Sequence, residues 1–213
     1  MTESSSSETA NGLLIVVSAP SGAGKTTAVN ALLQRDPALS RTISHTTRAP
    51  RGEERDGVDY HYVSADHFEA MDQEAQFLEQ AGIYGNRYGT SRQEVERIHN
   101  EGRDAVLVLD WQGARSVRAA MERVHTVFLL PPSLVELRRR LTGRGEDSEE
   151  VIARRLAAAQ SEIVHAGEYD CVVINDNLDE AVTRLATFVA ACRAGLPAAC
   201  DDCAPLIAEL MRT

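Results

Sequence analysis

Apolar positions along the chain fall into short dense runs alternating with stretches of helical spacing. Residues 13–17 form an unbroken aliphatic run, the pattern of a strand buried on both faces. The run feeds a loop of glycine and small residues (18–27), then a helical stretch to about residue 35. The alternation recurs: a strand over 105–109 ending at Asp110, a helix to about 121, a strand over 124–130 closed by Pro131-Pro132. Ser133 with Glu136 three residues on predicts a capped helix, as does Asn177 with Glu180. Ser148-Glu149-Glu150 opens a long helix to about 164, a strand follows over 171–174, and the Asn177 helix runs to about 194. Repeated strand–helix units require crossover connections and predict an α/β fold, a parallel sheet flanked by helices.

Two stretches break the rhythm. Residues 42–100 are richer in Arg, Tyr, Gly and Thr, with short half-buried strands at 60–63 and 77–79, the mark of a β-rich insertion. Residues 136–156 are densely charged and suit either a solvent-exposed helical hairpin laced with ion pairs or a mobile lid. Residues 1–11 are Ser/Thr/Glu-rich without apolar periodicity and predict a disordered tail; a short helix is expected near 205–211.

Composition narrows the classes. The chain has 213 residues, 43% hydrophobic and 25% charged, as in ordinary globular domains. No apolar run approaches the roughly 20 residues that span a bilayer, and the start lacks the basic and apolar regions of a secretory signal. Four cysteines in this length predict no disulfide framework and a reducing cytoplasm. Cys171 and Cys192 stand alone, and Cys200-Asp201-Asp202-Cys203 offers half a zinc site at most. The net charge of −10 argues against nucleic acid or a membrane surface as partner.

Positive charge must therefore be local to matter. The chain has a single lysine, Lys25. It stands in Ser18-Ala19-Pro20-Ser21-Gly22-Ala23-Gly24-Lys25-Thr26, a phosphate-binding P-loop except that Ala19 holds the first glycine position. Gly22 and Gly24 let backbone N–H groups approach phosphate oxygens, and the following helix start favours an anion. Lys25 can reach the β- and γ-phosphates of a nucleoside triphosphate, and the Thr26 hydroxyl can ligate Mg²⁺. Asp110, at a strand end, is the natural Mg²⁺ partner through water. A second concentration of positive charge, Arg41, Arg48 and Arg51, lies in eleven residues without an acid. Arginines give planar bidentate phosphate contacts, to which Tyr60 and Tyr88 can add hydroxyls. A solvated loop offset by Glu53, Glu54, Asp56 and Asp59 explains the charge equally well.

Five motifs in order carry a resemblance: the P-loop, Ser44-His45-Thr46-Thr47-Arg48-Ala49-Pro50-Arg51, Gly85-Asn86-Arg87-Tyr88-Gly89-Thr90, Asp110-Trp111-Gln112-Gly113 and Arg140-Leu141-Thr142-Gly143-Arg144-Gly145. Over about 12–195 the chain resembles bacterial-type guanylate kinases. The resemblance implies a P-loop nucleoside monophosphate kinase with a core (12–42, 101–135, 158–195), a GMP-binding insertion (43–100), a lid (136–157) and a C-terminal tail (196–213). It implies transfer of the γ-phosphoryl of ATP to GMP or dGMP with Mg²⁺, in purine nucleotide metabolism. Carried over by position, Ala19, Pro20, Ser21, Gly22, Ala23, Gly24, Lys25 and Thr26 hold ATP phosphates and Mg²⁺, and Asn175 lies near the adenine. Ser44 and Glu79 read guanine, Thr90 is a base-side hydroxyl, and Arg48, Arg51, Tyr60 and Tyr88 hold the GMP phosphate. Asp110 belongs with the substrate-side residues, and Arg140, Arg144 and Arg155 close on the transferred group. Base chemistry agrees for Glu79, because one carboxylate accepts both N1–H and the N2 amine of guanine.

The chain departs from the family's pattern at Val108, where an acid is usual, and at Glu53, where a glycine is. His45 gets no catalytic role. Two alternatives stay open here: a non-catalytic phosphopeptide-binding module of the same fold, which intact Lys25, Thr26 and lid arginines oppose, and a P-loop kinase for another nucleotide or a phosphorylated sugar.

Overall fold

The computed structural model describes residues 12–83, 85–142, 148–200 and 202–212; the expected tail at 1–11 and Arg144 lie outside them. Strand β1 (Leu14–Ser18) enters helix α1 (Lys25–Arg35), followed by β2 (Leu39–Arg41), β3 (His45–Thr46) and β4 (His61–Tyr62). Helix α2 (Ala65–Gln73), the hairpin β5 (Phe77–Ile83) and β6 (Asn86–Ser91), and α3 (Arg92–Asn100) come next. Then follow β7 (Asp104–Leu109), α4 (Trp111–Ala120), β8 (His125–Leu130), α5 (Leu134–Thr142) and α6 (Glu149–Ile163). A 3-10 turn (Ala166–Glu168), β9 (Cys171–Ile174), α7 (Leu178–Arg193) and α8 (Ala204–Leu210) complete the order.

The expected parallel sheet has the order β2-β7-β1-β8-β9, with every pairing parallel. Side chains of β1 alternate between two cores, as strand geometry requires. Ile15 and Val17 pack with Val29 and Leu32 of α1 and with Leu185 and Phe188 of α7. Leu14 and Val16 face Val95 and Ile98 of α3 and Val117 of α4. Because a parallel sheet is covered on both faces, β1 reads as a continuous apolar run.

The intervening segment builds a second sheet, β4-β3-β6-β5. It also carries two helices that the sequence pattern had hidden. Ser64 caps α2 by accepting from His67 N at 3.1 Å, and Ser91 caps α3 by accepting from Glu94 N at 3.2 Å. Ser91 with Glu94 is the capping spacing already recognised at Ser133, but it follows directly on strand residues and was absorbed into them. Because Val95 and Ile98 sit in the core cluster, α3 anchors this second sheet to the first.

The cysteine expectation is corrected. Cys171, at the start of edge strand β9, is disulfide-bonded to Cys200 across 29 residues of sequence, and Cys203 is a buried free thiol. Composition gave no sign of this, because α8 brings the tail back to β9. Its Leu210 packs with Phe128, Leu130 and Ile163, and its end accepts from Gln160 Nε2 of α6 at 3.1 Å. Among the described residues no helix is long and apolar enough to cross a membrane.

Candidate active site

The loop between β1 and α1 is bent by two glycines at φ of +90° (Gly22) and +89° (Gly24), a region that costs other residues strain. Space requires them too. A Cβ at Gly22 would meet Leu141 Cδ2 at 2.6 Å, and one at Gly24 would meet Asn175 Nδ2 at 2.6 Å. Asn175 is buried and donates to Ala23 O at 2.7 Å, so the end of β9 clamps the loop. Helix α1 has neither a side-chain N-cap nor an acid in its first turn, which leaves its starting N–H groups and dipole for an anion.

Lys25 Nζ donates to Leu109 O at 2.8 Å, across the sheet at the end of β7. Burial pushes its ammonium below the ordinary range, while Glu162 and Asp110 act in the opposite direction. Thr26 is exposed at the helix start. Asp110 caps α4 by accepting from Gly113 N at 2.8 Å.

From the other flank, α5 lies over the loop. Arg140 is ion-paired to Glu136 at 2.7 Å and its guanidinium reaches Ala23 O at 3.5 Å and Asp176 O at 3.3 Å. Arg140, Asn175, Gly22, Gly24, Thr27, Asp176 and Leu178 line one depression. Arg155 is half-buried on α6, whose Leu156 and Ala159 pack against Leu137 and Leu141 of α5.

A second cavity, of about 290 Å³, opens between the two sheets and is lined by Ser44, Tyr60, Glu79, Tyr88, Val108 and Asp110 among others. Its deep end is polar. Glu79 is 8% exposed, and its Oε1 accepts from Thr90 N at 2.9 Å and Thr90 Oγ1 at 2.7 Å. Ser44 Oγ lies 3.4 Å from Thr90 Oγ1. Burial raises the Glu79 pKa, against the two Thr90 bonds. The other end is cationic and phenolic. Arg48 donates from Nε to Tyr88 Oη at 3.2 Å and from Nη1 to Ala49 O at 2.9 Å. Its Cζ lies 5.4 Å from the centre of the Tyr60 ring.

The structure thus brings Ser44, Glu79, Tyr60, Tyr88 and Asp110 around one cavity, with Thr90 bonded to Glu79 and Arg48 to Tyr88. Arg51 is exposed at the rim, held through its backbone N–H by Glu54 Oε2 at 2.8 Å. Arg41, counted with Arg48 and Arg51 on charge alone, belongs to β2 of the core sheet. The turn containing Glu53 is closed by Gly52, at φ +52°, and by Glu54 N donating to Arg51 O at 3.0 Å. Val108 gives the cavity an apolar wall where an acid was expected. His45 is packed against His61 and Phe77, with ring centres 4.7 and 5.8 Å away, and burial lowers its pKa to about 4. Sequence reasoning passed over Glu162, whose charge bears on Lys25 although 137 positions separate them. It also counted Glu54 only as offsetting charge.

Comparison with known proteins agrees with this geometry. The family model described as Guanylate kinase matches residues 11–192. The guanylate kinase of Alkalilimnicola ehrlichii is 51% identical over 201 residues, 94% of this chain and 97% of that one. That of Thiobacillus denitrificans is 52% identical over 174 residues, covering 82% and 83%. The crystal structure of guanylate kinase from Anaplasma phagocytophilum superposes with a TM-score of 0.66 at 34% identity, covering 84% of this chain and 85% of that one. With a P-loop facing a carboxylate-floored cavity, and with similarity along nearly its whole length, the chain belongs to the guanylate kinase family.

Proposed function

We propose that this enzyme, an ATP:GMP phosphotransferase, holds GMP in the cavity between the two sheets and ATP on the P-loop, and moves the γ-phosphoryl group in line between them. The observation that carries the residue roles is the Glu79 carboxylate. Thr90 saturates one oxygen and fixes the group in a cavity that also holds Tyr60 and Tyr88, the latter bonded to Arg48. Guanine offers N1–H and N2–H side by side to such an acceptor. Adenine presents an acceptor at N1, which leaves the buried carboxylate unpaired and is rejected for that reason. Ser44 meets O6, with Thr90 beside it, and Arg48, Arg51, Tyr60 and Tyr88 receive the 5′-phosphate.

On the donor side, backbone N–H groups of the loop after Pro20, together with Lys25, hold the β- and γ-phosphates, and Asn175 keeps the loop open for them. No general base is required, since the attacking phosphate oxygen is already anionic near neutral pH. Catalysis reduces to alignment and to neutralising charge on the moving group. We assign that charge role to Lys25, Arg48, Arg140, Arg144 and Arg155, with the 136–157 segment closing as a lid and excluding water. The insertion (43–100) and core divide the two substrates between them.

The donor set suits Mg²⁺. The Thr26 hydroxyl, exposed at the start of α1, is a hard oxygen donor that would hold the ion directly, with the Asp110 carboxylate acting on it through water. When bound, it supplies positive charge that neutralises the triphosphate. The substrates imply a cytoplasmic enzyme, with dGMP accepted beside GMP.

The test is direct: purified protein with ATP and a panel of GMP, dGMP, AMP, UMP and TMP, followed by nucleotide chromatography. GDP and dGDP should form at least about a hundredfold faster than ADP from AMP. Comparable rates with AMP and GMP remove the role of Glu79.

A further inference from the structure

Beside the phosphate end of the cavity, three donors converge on one carboxylate. Glu54 Oε1 receives Arg48 Nη2 at 2.9 Å, and Glu54 Oε2 receives the Arg51 backbone N–H at 2.8 Å and the Tyr62 hydroxyl at 2.8 Å. Glu54 is half-buried, while Arg48 is only 9% exposed. The same arginine is held from two further directions, by Tyr88 Oη and Ala49 O.

A guanidinium carries five N–H donors in a rigid plane. Three are engaged here, one on each nitrogen, so two remain, one on each terminal nitrogen. A forked pair of donors suits two oxygens of one phosphate. Arginine on its own is a long side chain, and fixing it costs rotamer freedom. Glu54 meets that cost in the free protein, before substrate arrives.

Resting on the GMP assignment above, we propose that Glu54 is a positioning residue for the acceptor's 5′-phosphate: by gripping Arg48, the Arg51 backbone and Tyr62 together, it presets the arginine fork that recognises a nucleoside monophosphate over the bare nucleoside.

Two features make this more than a surface ion pair. The carboxylate bridges the strand that carries Tyr62, the 51–54 turn and the Arg48 side chain, so the whole phosphate end is referred to one group. Its oxygens are also both engaged by protein donors, so a phosphate can approach the remaining Arg48 donors without displacing it. The Arg48, Arg51 and Tyr62 contacts hold the Glu54 pKa down at about 2, so the group stays ionised throughout the working range of the enzyme.

The discriminating measurement compares the KM of GMP with the Ki of guanosine, which lacks the phosphate, in the full-length protein and its Glu54→Gln variant. Glutamine keeps the size but loses the charge and one acceptor. The expected result is a GMP KM raised about tenfold or more, with guanosine Ki and ATP KM within about twofold and kcat within about threefold. Tyr62→Phe, which leaves the carboxylate in place, should shift GMP the same way by a smaller factor. Equal weakening of GMP and guanosine overturns the proposal and leaves Glu54 a structural residue only. A lowered GMP KM also overturns it, showing that the carboxylate repels phosphate more than it organises arginine. Failure of the unmodified protein to bind GMP at all, while ATP still binds, overturns the function assignment itself.

Discussion

Thr90 gives Glu79 two hydrogen bonds on a single oxygen, from its backbone N–H at 2.9 Å and its hydroxyl at 2.7 Å. The second oxygen lies against the first turn of α4, where a Cβ at Gly113 would stand 3.3 Å from it. One residue of β6 therefore aims the carboxylate of the neighbouring strand. Replacing Glu79 by Gln turns one acceptor oxygen into a donor. The ratio of kcat/KM for GMP over AMP should fall by about ten- to a hundredfold; a ratio equal to that of the parent protein contradicts the assignment.

The same carboxylate sets a pH dependence. Burial raises its pKa, with the Thr90 bonds opposing and Asp110 adding to the rise. On the proposed contact guanine needs the ionised form, so the KM for GMP should climb as pH falls through the raised value, and Glu79→Gln should lack that limb. The sign for stability runs the other way. A carboxyl whose pKa is higher folded than unfolded costs stability above the folded value, and the cost fades as pH falls from there to the unfolded value. At pH 7 Glu79→Gln should unfold at a higher temperature than the parent, measurable by calorimetry.

On the proposed assignment Arg48 and Lys25 serve different substrates, and kinetics can separate them. Arg48→Ala removes the fork at the acceptor phosphate and should raise the KM of GMP at least about tenfold, with the KM of ATP within about twofold. The opposite pattern would mean that the two sites are assigned in reverse.

Lys25→Ala removes the cation proposed to hold the donor phosphates and should lower kcat by about two to three orders of magnitude. The loss should show equally in single-turnover measurements, because it affects the transition state rather than product release. A kcat within about threefold of the parent's would remove Lys25 from the chemistry.

The bond between Cys171 and Cys200 closes a loop across 29 residues of sequence. Chain-entropy reasoning gives about 2–4 kcal/mol for such a loop. Reducing agent should therefore lower the unfolding temperature by several degrees, and Cys200→Ser should show the lower value without reductant. An unfolding temperature insensitive to both would mean that packing of α8 alone holds the tail.

Much of this was legible because each signal is local. The 13–17 apolar run, the glycines before Lys25 and the serine or asparagine caps act within a few residues, so four of the five core strands and most helices could be placed from sequence; the three-residue edge strand β2 was not. Helices α2 and α3 were missed because their capping serines adjoin strand residues, where short-range patterns overlap. The partners of Cys171 and Lys25 were hidden for a different reason. Cys200 is 29 positions from Cys171, and Glu162 is 137 from Lys25; no periodicity spans such gaps.

What the sequence determined by itself was the chemistry available: one lysine after a glycine-rich loop, an arginine-rich segment without acids, and a carboxylate that the resemblance pairs with guanine. Tertiary structure decided which of these groups share a space and which are buried. The second sheet buries Glu79 under Thr90, Glu54 engages Arg48, and β9 returns Asn175 to the loop twenty-odd residues from the start. The physical reason is that burial and charge–charge energies depend on distance through space, which chain order constrains only within an element.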